Sequence, residues 1–93
     1  MQQKKKTTKN YMDILGEIIE SYRLKNKKSI YLISAESNVA KSSWRELEKG
    51  KRSNMTLITF CKIAEGLEIP PHKLLKELTD KLGKDFSFTD LDI

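Results

Sequence analysis

The spacing of apolar residues constrains this fold more than any other feature of the chain. Tyr11, Ile14, Leu15, Ile18, Ile19 and Tyr22 recur at intervals of three and four. They line one face of a helix and fit poorly to the two-residue period of a strand. Asn10 stands where an N-cap belongs, and Asp13 falls in the first turn, facing the positive end of the peptide dipoles. A first helix is predicted over residues 11–24, ended by the polar run at 25–28.

Four shorter helical segments follow. Ser29 caps the second, predicted over 30–37 with Ile33 inward. Asn38 tolerates the left-handed backbone of a sharp turn, and Val39 is apolar enough to fill the gap between two helices. The third helix spans 41–49, with Trp44 and Leu47 inside, Lys41, Ser42, Arg45 and Lys49 outside, and Gly50 closing it. A basic loop at 51–55 leads to Thr56, cap of a fourth helix whose inner face is Leu57, Phe60, Cys61, Ala64 and Leu67. The sequence Ile69-Pro70-Pro71 breaks the chain, and Pro71 suits the first turn of a fifth helix presenting Leu74, Leu75, Leu78 and Leu82. The fold class is therefore all-α, a compact five-helix domain. Its second and third helices, joined by a short turn, have the outline of a helix-turn-helix.

A chain of 93 residues is expected to form one domain. Residues 1–9 read as a disordered basic arm, 10–83 as the folded domain, and 84–93 as an acidic and aromatic tail. A core this thin gains from added burial against a second subunit. Charge is divided along the chain. Residues 1–54 hold 13 Lys and Arg against 6 Asp and Glu, whereas residues 55–93 hold 5 against 7. The front half suits a polyanion and the back half does not.

Enzyme chemistry finds no purchase here. There is no Gly-rich phosphate loop, no zinc spacing and no nucleophile paired with a base at a usable separation. One Cys and one His exclude an intrachain disulfide and leave no expected metal site or cofactor. No apolar run approaches the ~20 residues of a membrane span. The lysine-rich start lacks the apolar stretch of a signal peptide, and the expected location is the cytoplasm.

Arg23, Ser29, Ile33, Asn38-Val39, the run WRELEKGKR at 44–52, Leu57, Lys62-Ile63-Ala64, Leu67 and the Leu74-Leu75 pair occur in a telling order. Across roughly residues 15–78 the chain resembles the Xre/Cro-type helix-turn-helix family, which includes small phage repressors and restriction-modification controller proteins. The resemblance implies a lambda-repressor-like fold and a sequence-specific transcriptional regulator, a homodimer on a palindromic operator in double-stranded DNA. The third helix would lie in the major groove, braced by the second. By position, Lys41, Ser42, Ser43 and Arg45 would contact bases, since Lys and Arg donate to guanine O6 and N7 and Ser serves either partner. Ser29, Lys49, Lys51 and Arg52 would hold phosphates. Arg23 and Glu48 match an ion pair that ties the first helix to the third in part of the family. Leu74, Leu75, Leu78 and Leu82 fall where family members dimerise, with recognition helices about 34 Å apart.

The chain also departs from the family pattern. Ile30 replaces the usual Gln at the start of the second helix, removing a polar reader and offering contact with a thymine methyl. Ser34 replaces Ala, Asn38 replaces Gly, and Met55 stands near the usual Pro.

Several residues carry a plainer reading. Trp44 shares a face with Leu47 and belongs to the core rather than to a base stack. Cys61 is expected as a small buried hydrophobe, and His72 as a solvated side chain. Lys27 and Lys28 read as a solvated loop. The arm lysines Lys4, Lys5, Lys6 and Lys9 either keep the chain soluble or follow the DNA backbone. Phe86, Phe88, Leu91 and Ile93 either extend a dimer interface or fray. Three rival functions stay open: an antitoxin of the same fold, holding a partner protein through its tail; an interaction module that has lost DNA binding; and a nucleoid-type binder without sequence preference.

Overall fold

The computed structural model describes residues 10–91. They form α1 (Tyr11–Lys25), α2 (Ile30–Ser37), α3 (Lys41–Glu48), α4 (Leu57–Gly66) and α5 (Pro71–Leu82), then a 3-10 turn at Phe88–Asp90. The predicted basic arm lies outside the described residues.

The helix ends follow local chemistry. Asn10 and Asp13 form a reciprocal capping box, each side chain accepting from the other's backbone N–H at 3.0 Å. Ser29 and Thr56 accept from Leu32 and Thr59, capping α2 and α4. Asn38 takes φ 58°, ψ 39°, and this left-handed residue turns the chain from α2 towards α3. Gly50, at φ 68°, ends the segment after α3.

The core joins Met12, Leu15, Ile18 and Ile19 of α1 to Ile33, Val39, Trp44, Leu47, Ile63, Ala64, Leu67, Leu74 and Leu78. Helix α1 packs on α3 and α5, α2 packs on α3 and α4, and α4 packs on α5. Two glycines permit the closest approaches. A Cβ on Gly16 would lie 2.2 Å from the Leu47 carbonyl oxygen, and one on Gly66 would lie 2.7 Å from Ser37 Cβ. Helix α1 thus meets the backbone of α3 directly, and α4 meets the end of α2.

Two expectations need correction. The inner face of α4 is Ile63 and Ala64, continued by its C-cap Leu67, with Phe60 half-buried, while Leu57 is 78% exposed and Cys61 only half-buried. The fully buried residues of α4 all lie in its C-terminal part, and its first turn borders an open groove. Lys28 is not a solvated loop residue. Its ammonium donates to Glu36 Oε1 at 2.6 Å, Glu68 Oε2 at 2.7 Å and the Gly66 carbonyl at 3.1 Å, pinning the α1–α2 link to the end of α4. The tail makes a 3-10 turn, with Phe88 edge-on to Tyr11 at 5.6 Å and to Phe86 at 4.8 Å. Ile93 lies outside the described residues. Among those described, no helix is long and apolar enough to cross a membrane.

Candidate nucleic-acid interface

Helix α3 is held from its inner side by three different contacts. Trp44 is fully buried and its indole N–H donates to Ser37 Oγ at 3.0 Å, satisfying the polar atom of each. Leu47 lies in the core against the α1 backbone. Arg23 Nε and Nη2 donate to Glu48 Oε2 and Oε1 at 2.6 and 2.9 Å, a two-point fork between α1 and α3. Its Nη1 donates to the Lys28 carbonyl at 2.8 Å. The hydrogen bond to the Glu48 carboxylate raises the Arg23 pKa further, although burial opposes it.

The opposite side of α3 is free of packing. Lys41, Ser42, Arg45 and Lys49 are exposed there, with Lys51 just beyond. Ser43, the fourth expected base contact, is half-buried. Arg52 Nη1 reaches back to Glu46 Oε1 at 3.2 Å and Ser43 Oγ at 3.5 Å. Arg52 is thereby drawn along α3, with its charge partly matched by Glu46. Ser29 uses its oxygen as the α2 cap but keeps a hydroxyl proton to donate. Ile30, at the family's Gln position, leans on the core instead of standing free.

Sequence reasoning overlooked two residues of this surface. Glu46 was not distinguished from the solvated face, although it orients Arg52. Tyr31 is 71% exposed on α2, and its ring lies 5.0 Å from Lys41 Nζ. The available signal was a large aromatic next to Ile30 and away from Ile33, the inward position.

A second feature lies among α1, α4, α5 and the tail. An apolar groove of about 300 Å³ is lined by Tyr11, Met12, Leu15, Met55, Leu57, Phe60, Leu75, Leu78 and Phe88. Of these, Leu57 and Leu75 are the exposed large aliphatic residues. The four leucines expected at a dimer face divide here. Leu74 and Leu78 are spent in the protomer's own core, Leu82 is half-buried against it, and Leu75 alone stands exposed.

No family model matches the chain, and no curated protein matches it in sequence. Solved structures do. The restriction-modification controller protein C.AhdI from Aeromonas hydrophila is 25% identical over 68% of this chain and 94% of its own, with a TM-score of 0.63. SinR, a master regulator for biofilm formation solved in complex with DNA, is 26% identical over 66% of this chain and 97% of its own, with a TM-score of 0.61. A mutant of the controller protein C.Esp1396I, at 20% identity, supports the fold alone. It covers 82% of this chain and 95% of its own, with a TM-score of 0.70. The order of the helices, the Asn38 turn and these neighbours agree: the chain has the five-helix fold of the Xre/Cro-type helix-turn-helix regulators.

Proposed function

We propose that this protein is a sequence-specific DNA-binding transcriptional regulator that acts as a homodimer on a palindromic operator. The observation that carries the reading is the two-sided character of α3. Its inner side is fixed by Trp44, Leu47 and Glu48, and its outer side offers Lys41, Ser42, Arg45 and Lys49 to a partner. A rigid helix bearing cations and hydroxyls on one face suits a DNA major groove. Lys41, Ser42 and Arg45 read bases in this account, with Ser43 behind them. Ser29, Lys49, Lys51 and Arg52 hold phosphates. SinR, with this fold, is solved in complex with DNA.

The homodimer rests on the groove between α1, α4 and α5. Leu57 and Leu75, exposed where they line it, give two copies an apolar face to share. The tail, with Phe88 at the rim, lies beside that face.

The test is selection of preferred sites from random duplex DNA at near-physiological salt. The expected result is a palindrome with half-sites about 10 base pairs apart. A flat selection would defeat the reading, and a co-purifying small protein would then favour the antitoxin account.

A further inference from the structure

Lys41 opens α3, and a lysine there is a weak reader by itself. Its ammonium sits on a flexible four-carbon stem and can donate in many directions. In this structure the stem is not free. The ammonium lies 5.0 Å from the centre of the Tyr31 ring, within the range at which the negative face of an aromatic attracts a cation. Tyr31 is 71% exposed and contributes nothing to the core. Among the described residues its phenol oxygen has no hydrogen-bond partner. Its neighbours Ile30 and Leu32 are uncharged, and the first turn of α2 holds no acid. Nothing in the packing of α2 accounts for an exposed aromatic at this position.

We propose that Tyr31 is a positioning residue for base reading, resting on the DNA-binding function above. The ring acts as a platform that narrows the directions open to Lys41 as α3 enters the groove. It thereby supplies part of the discrimination lost from the neighbouring position, where Ile30 stands instead of a polar reader. The cost of ordering a lysine stem is met before DNA arrives, and less is lost on contact. The phenol hydroxyl has no part in this role.

The experiment compares selected DNA sites for the wild-type chain, Tyr31→Phe, Tyr31→Ala and Lys41→Ala, followed by affinities for the best site and its single-base variants. Alanine favours helix and position 31 is exposed, so α2 is kept; circular dichroism and thermal melting check this. Lys41→Ala identifies the base pair that Lys41 reads. Tyr31→Ala is expected to weaken preference at that pair about two- to fivefold, leaving the other positions unchanged. Tyr31→Phe keeps the ring and is expected to retain the wild-type preference. Equal loss in Tyr31→Phe and Tyr31→Ala would overturn the platform, because a hydroxyl contact to phosphate would explain it. A uniform loss across all positions, or none, in Tyr31→Ala would overturn it too. If the wild-type chain selects no motif, the DNA-reading premise itself falls; an unchanged motif in Tyr31→Ala removes the Tyr31 role alone.

Discussion

The Arg23 guanidinium lies fork to fork on the Glu48 carboxylate, with donor–acceptor distances of 2.6 and 2.9 Å. Both side chains are largely buried, at 12% and 7% exposure. Losing one partner strands a buried charge, which costs about 3–5 kcal/mol. Arg23→Met and Glu48→Met should therefore each destabilise strongly on their own. Arg23→Met combined with Glu48→Met should be much milder than the sum of the single changes. Denaturant unfolding of the four proteins measures the coupling, and strict additivity would rule it out.

Charge on the two parts of the surface should act differently on DNA. Arg45→Ala should cost about 1–3 kcal/mol at one base pair and relax preference there. Lys49→Ala and Lys51→Ala should weaken binding to all sequences alike, each lowering the salt slope by about 0.9. Titrations at several salt concentrations, on the selected site and on random duplex, separate the two behaviours.

The apolar rim predicts an association phenotype. Leu57→Glu and Leu75→Glu change exposed residues, so the protomer fold should shift by no more than about 0.5 kcal/mol. Sedimentation should find the variants monomeric at concentrations where the wild-type chain is dimeric. A wild-type chain that is monomeric at every concentration would refute the shared face.

The Asn38 turn offers a backbone test. At φ 58° an alanine pays the left-handed penalty, and Asn38→Ala should lose about 1–2 kcal/mol. Asn38→Gly should change stability little. Thermal melts of the pair report the difference without reference to DNA.

Lys28 links stability to acid. The hydrogen bond from Lys28 holds the Glu68 carboxyl below the ordinary carboxylate range. A lowered folded pKa stabilises at neutral pH, and that contribution disappears as pH falls from about 4.5 through the lowered value. Lys28 shifts the other way, raised by its bonds to Glu36 and Glu68, so its contribution holds at neutral pH and is lost only in strong alkali. The stability gap between wild-type and Glu68→Gln should therefore close in acid. A gap that does not narrow at all as pH falls below about 4.5 would refute the linkage.

Much of this fold was legible because each helix carries its own punctuation. Asn10, Ser29, Thr56 and Pro71 mark starts, and Asn38 marks the turn, all through local backbone chemistry. Helix α3 divided correctly into inner and outer sides because an eight-residue helix has room for little else. Helix α4 did not. Periodicity gives a face, but the buried side is centred on Ile63, Ala64 and Leu67, turned partly round the helix from Leu57 and Cys61. Lys28 escaped for a related reason: its partners are 8 and 40 residues away, and a polar loop gives no hint of them. The Tyr31–Lys41 contact spans the α2–α3 turn and depends on the angle between two helices, which composition does not encode.

Gly16 bears on how such a protein can change. Helix α3 rests on α1 partly through its own carbonyl groups, met by a residue with no side chain. The seat of the helix does not depend on what stands at positions 41, 42 or 45. Replacements there carry little folding cost, so single substitutions can redirect what the outer face recognises while the scaffold stays still. The strict position is the least conspicuous one: any side chain at 16 would drive the two helices apart and tilt the whole outer face at once.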